Sequence, residues 1–235
     1  MIRTLATCLL LMSCASLAED AASDALESLH ASRDVELQTD PGSPFWRAAR
    51  PVYAEVDNYG KPMPHARTEV RSRWTQENLY LLFTCPYEEL YVNPKPVTSA
   101  ETNELWKWDV AELFVSADFE NIRRYREFEV SPQGEWVDLD INLDLPDHTV
   151  GWTWNSGFQV SARIDSRKNI WYGAMRIPFS ALDGKPPYAG RAYRANLFRT
   201  EGRPSAQKAI AWKAPMSETF HTPERFGSLK LVGTK

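Results

Sequence analysis

Two tryptophans stand one residue apart in Leu105-Trp106-Lys107-Trp108-Asp109, immediately before the apolar run 110–116. They are two of nine in 235 residues. A sheet core needs apolar side chains on one strand face. It does not need indoles at alternate positions beside Glu104, Lys107 and Asp109. Indole planes flanked by charged groups suit a guest that is apolar on its faces and hydroxylated on its edge, as a sugar ring is. Read as extended chain, 105–109 points Trp106 and Trp108 the same way. Trp212, in 209–213, offers a second platform. Trp152 and Trp154 read as a loop clasp, and Trp46, Trp136 and Trp171 as core.

Polar residues within apolar strands are the candidate rim. Asn196 offers a donor and an acceptor to a pair of hydroxyls, and the Arg199 fork suits vicinal hydroxyls. An extended strand points 196 and 199 to opposite faces, so Arg199 has ion pairing with Glu201 or Glu112 as its alternative role. Glu129 joins this rim, and with Glu112 it also raises acid–base chemistry. Glycosidase carboxylates stand about 5–10 Å apart, whereas strand carboxylates usually pair with neighbours such as Arg124 and Arg126. Asp138, Asp140 and Asp144 form an acidic group that suggests calcium, which takes six to eight oxygens. No cofactor is required by this reading. The four histidines lack metal-ligand spacing, and no nucleophile triad, phosphate loop or nucleotide fingerprint is present.

The elements that must hold these residues read as strands. Residues 68–74 alternate, 79–83 and 110–116 are apolar runs, and 125–131 with 135–141 flank the turn 132–134. Segments 158–164, 169–177, 191–200, 209–213 and 226–232 complete the set, with one helical turn at 178–182. About ten short strands with prolines between them imply an all-β fold, an antiparallel β-sandwich.

Ahead of that domain, residues 1–18 read as an export signal: Arg3, an apolar stretch, then small residues ending at Ala18. Residues 11–14 also resemble a lipoprotein box, with Cys14 as the lipidated residue. Residues 19–43 read as a disordered or weakly helical tether and 44–235 as the folded domain. Cys85 is then the one thiol of that domain, a buried inert one. The net charge of −4, with bases and acids interspersed, excludes a nucleic-acid stripe and a polybasic membrane patch. Membrane contact is expected only through the lipid anchor.

Four stretches carry a resemblance: 108–115 (WDVAELFV), 125–132 (YREFEVSP), 196–199 (NLFR) and 220–227 (FHTPERFG). In this order they resemble the carbohydrate-binding module family 9-like domain in its stand-alone bacterial form, over about residues 45–233. The resemblance implies a DOMON-like β-sandwich, binding of sugars or polysaccharide ends between two tryptophans, and structural calcium. Three other functions stay open: activity on O-glycosyl bonds, haem-based electron transfer as in related DOMON domains, with Met63 and His148 as the ligand pair, and a structural envelope domain whose sugar site has decayed.

Overall fold

The computed structural model describes residues 25–233. The expected signal, the Cys14 lipidation site and the start of the expected tether lie outside them. Twelve strands form one hydrogen-bonded path in the order β7-β6-β5-β10-β12-β1-β3-β4-β9-β8, with β11 on β10 and β2 on β3. The front half holds β5 (Val110–Ser116), β6 (Arg124–Val130), β7 (Trp136–Asn142), β10 (Ala192–Glu201), β11 (Lys208–Ala211) and β12 (Gly227–Val232). The back half holds β2 (Val52–Ala54), β3 (Thr68–Trp74), β4 (Asn78–Pro86), β8 (Gln159–Asp165) and β9 (Ile170–Pro178). All pairs within each half are antiparallel.

The hinge between the halves corrects the sequence reading. Ala25–His30, expected within a tether, is strand β1. It pairs parallel with β12 on one side and β3 on the other. Leu26 enters the main core and Ser28 bonds Ser72 at 2.9 Å, so the folded unit begins well before residue 44.

Strand periodicity then fixes the layers. Ala111, Leu113 and Val115 of β5 point into the main core with Phe128, Val130, Leu81, Phe83 and Met175, while Val110, Glu112 and Phe114 point to the front. Gly173 on β9 permits the close approach of the halves: a Cβ there would lie 2.7 Å from Val130. Strands β4 and β9 are apolar on both faces because a second cluster covers their back. Its centre is Trp46 on the short helix α1 (Pro44–Arg47), capped by Ser43, with the indole N–H donating to Gln38 O at 3.0 Å. A third cluster covers the front face of β5, β6, β7 and β10, and a cavity opens there.

Candidate functional site

The cavity has a volume of about 500 Å³, in the range of small-molecule sites. Its floor is the front face of the sheet: Glu112 and Phe114 from β5, Glu127 from β6, Leu139 and Ile141 from β7, and Thr200 from β10. Alternation brings them together, because each is an every-second residue on a strand whose other face is core. Trp106, His148, Phe220 and His221 form the walls, and Gln207 and Lys208 reach the edge.

Trp106 does not sit on extended chain. Glu104 takes a left-handed conformation (φ 60°) and Leu105–Lys107 is a 3₁₀ turn that buries Leu105. The turn sends the two indoles to different tasks. Trp106 lines the cavity. Trp108 stacks on Tyr91 with ring centres 4.7 Å apart and planes 28° apart. Of the nine tryptophans, Trp106 alone lines this cavity. Trp212, expected as the second platform, is 8% exposed. It packs in the main core against Gly227, where a Cβ would meet the indole at 2.9 Å, and the Lys213 ammonium lies 4.9 Å over its ring. The aromatic wall facing the cavity besides Trp106 is Phe220, stacked at 4.1 Å on Phe198.

The expected polar rim is inside the protein. Asn196 is fully buried, its amide donating to Lys213 O at 2.8 Å and its oxygen accepting from Leu197 N and Lys213 N. It pins the 212–213 segment to β10. Arg199 is also fully buried, 2.7 Å from Glu201 and 3.2 Å from Thr68 Oγ1. The Glu201 pairing anticipated as its alternative role is the one formed. Glu129 is fully buried as well, but beside the cavity floor, opposite Glu112 in the β5–β6 register. For Asn196 and Arg199 the sequence marks a polar residue within an apolar strand but not the loop or charge that satisfies it.

The acidic group expected to hold calcium separates into individual pairings. Asp138 is buried and accepts from the Ser156 backbone N–H at 3.1 Å and from its hydroxyl. Asp140 pairs with Arg126, and Asp144 pairs with Arg123 at 2.6 Å. Each carboxylate is thus engaged with its own partner. The proposed haem pair divides too: Met63 packs against the main core, whereas the His148 ring lies 4.2 Å from His221 at the cavity.

Sequence reasoning took His148 only as a haem ligand and His221 only as part of the 220–227 stretch, and both stand at the cavity wall. His148 comes from the 3₁₀ stretch His148–Thr153, which lies directly on β7. Gly151 makes this possible, since a Cβ there would lie 2.1 Å from Asp140 O. His221 Nδ1 and the Tyr125 phenol share a hydrogen bond of 2.6 Å, and the imidazole tautomer sets which of them donates. Burial, reinforced by His148, lowers the His221 pKa to about 3, while burial and the Glu127 charge push the Tyr125 phenol up. The imidazole is therefore neutral at pH 7 and offers one N–H donor and one acceptor nitrogen. At the floor, burial and mutual repulsion raise Glu112 and Glu129 well above the usual carboxylate range, and burial raises Glu127 to about 7.

An aromatic wall over carboxyl, hydroxyl and imidazole groups is a surface for a flat, hydroxyl-rich guest. Residues 43–234 match the family described as carbohydrate family 9 binding domain-like. The chain belongs to that family. A protein from Arthroderma benhamiae, named an extracellular protein, is 26% identical over 195 residues, spanning 75% of this chain and 86% of the relative. A Bacteroides uniformis protein proposed to bind carbohydrate has the same fold, with a TM-score of 0.70 at 16% identity over 88% of this chain and 98% of that one. A family 9 module from Caldicellulosiruptor kristjanssonii, solved with cellotriose, superposes with a TM-score of 0.61 at 15% identity over 89% of this chain and 94% of that one. The same module was also solved with glucose.

Proposed function

We propose that this family 9 domain is an exported, non-catalytic binder of glucose-type sugars or polysaccharide ends, with the cavity on its front face as the site. The observation that carries this reading is the placement of Trp106 and Phe220 over a floor of Glu112, Glu127 and Thr200. Trp106 takes an apolar face of the ring. The floor carboxyls, the Thr200 hydroxyl and the His221 ring take its hydroxyls. The family's description as a binding domain supports non-catalytic action. Glu112, Glu127 and Glu129 also stand together on one sheet face, with oxygens within 4.8 Å of one another. Acid and base must instead flank a scissile bond from two sides. Export is supported by the signal-like residues 1–18 and by the relative named an extracellular protein. A shallow single-sugar site gives weak binding, on the order of micromolar to millimolar.

The test is a panel of soluble oligosaccharides followed by tryptophan fluorescence, with reducing ends assayed in parallel. The reading expects saturable quenching by cellotriose and glucose and no new reducing ends. New reducing ends, or no response to any sugar at millimolar concentration, overturn it.

A further inference from the structure

The carboxylates of Glu112, Glu127 and Glu129 converge under the cavity floor. Glu112 and Glu129 are direct partners across the β5–β6 register, and Glu127 shares their face two residues before Glu129. One oxygen of each lies within 4.8 Å of the other two. All three side chains are buried, with exposures of 1%, 3% and 0%. Thr200 donates to Glu112 at 3.1 Å. Beyond that, no N–H or hydroxyl donor reaches either Glu129 oxygen or Glu127 Oε2, and the contact between Glu127 and Glu129 is carboxyl to carboxyl.

Burying a carboxylate without a partner costs several kcal/mol. Among the described residues, no ion pair joins a lysine or arginine to these three carboxylates. Val137 and Leu139 stand opposite Glu129 and Glu127 on β7. Lys208 at the cavity edge is 3.3 Å from both Glu88 and Glu201. Arg199 projects from the other face of β10 toward Thr68 and Glu201. Protons relieve this burial in the empty group, as the raised pKa values of all three show, and a cation from outside the chain would displace them.

We propose that Glu112, Glu127 and Glu129 bind one hard divalent cation of calcium size beneath the cavity. Three oxygen donors with no nitrogen or sulfur among them select a hard ion. A triangle with sides of at most 4.8 Å has a point no more than about 2.8 Å from every corner. That admits calcium–oxygen distances of about 2.3–2.6 Å with little movement, and calcium sheds its water more readily than magnesium, which holds octahedral geometry at about 2.0–2.1 Å. Water from the cavity completes the shell. The ammonium of an amino sugar also suits the spacing, but Glu129 does not line the cavity in which such a sugar would sit. The site stands whether or not the cavity binds sugar.

Calcium chloride and magnesium chloride are titrated by calorimetry, with no sugar present, into the full-length protein stripped with chelator. The expected result is one equivalent of calcium, bound at least about tenfold tighter than magnesium. Binding falls at least about tenfold in Glu129→Gln and is unchanged in Asp144→Asn. Circular dichroism checks that Glu129→Gln is folded. If it is not, manganese-soaked crystals of the unaltered protein decide, with an anomalous peak expected between the three carboxylates. No heat up to about 1 mM calcium, no peak between the carboxylates, binding lost in Asp144→Asn, or binding unchanged in folded Glu129→Gln overturns the proposal. So does glucosamine binding that depends on Glu129 in protein that ignores calcium. A separate glucose titration of stripped protein keeps the two readings apart: sugar heat without calcium heat sinks this one alone.

Discussion

His221 ties the electrostatics of the cavity wall to stability. Its pKa falls from 6.5 to about 3, chiefly through burial and secondarily through His148. A basic group whose pKa drops on folding contributes stability that is fully present above the unfolded value and is lost as pH falls toward the folded one. At pH 4 the unfolded imidazole holds a proton that the folded one refuses. The gap of 2.5 units between pH 6.5 and 4 corresponds to about 3 kcal/mol. Replacing His221 alone would orphan the Tyr125 hydroxyl, so the informative variant is Tyr125→Phe with His221→Phe. It removes both partners of the 2.6 Å bond and keeps an aromatic ring beside Phe114. Urea unfolding at pH 7.5 and pH 4.0, for both proteins, gives four free energies. Every other titrating group is common to the two proteins. Between the two pH values the double variant should therefore lose about 3 kcal/mol less than the parent. Equal losses would show that His221 titrates normally in the folded state.

Other perturbations separate scaffold from site. Arg199→Met should cost about 3 kcal/mol in urea unfolding, because it leaves Glu201 buried with only Lys208 at 3.3 Å, yet leave sugar affinity unchanged. Gly151→Ala should lower stability by about 1–3 kcal/mol and weaken sugar binding together, since relieving the 2.1 Å approach to Asp140 O lifts the stretch that carries His148. Cys85 is fully buried and its thiol is pushed up to about 12 by burial. It should resist a disulfide reagent at pH 8 in the folded protein and react at once in denaturant.

Local patterns made most of the strands legible. The segments 68–74 and 110–116 coincide with β3 and β5, because alternation or an apolar run bounded by turns is a property of the segment itself. Strand β1 escaped because Ala25–His30 holds no β-branched or aromatic residue. Its extended form comes from β12 and β3, which flank it in space and not in sequence. The candidate site was legible in part for the same reason. Trp106 and the strand carboxylates announce themselves by residue type. Which indole faces the cavity depends on the left-handed Glu104 and the burial of Leu105. The meeting of Glu112 with Glu129 depends on the register between β5 and β6. Asn196 and Arg199 were misread because their partners, Lys213, Thr68 and Glu201, are set by tertiary packing.

The most direct measurement is a calorimetric titration of cellotriose into three proteins: the parent, Trp106→Ala and Trp212→Phe. The account predicts micromolar-to-millimolar binding by the parent and by Trp212→Phe, and a loss of about 1–3 kcal/mol, roughly 5–150-fold, in Trp106→Ala. Undiminished affinity in Trp106→Ala, or no heat from the parent at millimolar sugar, would contradict it.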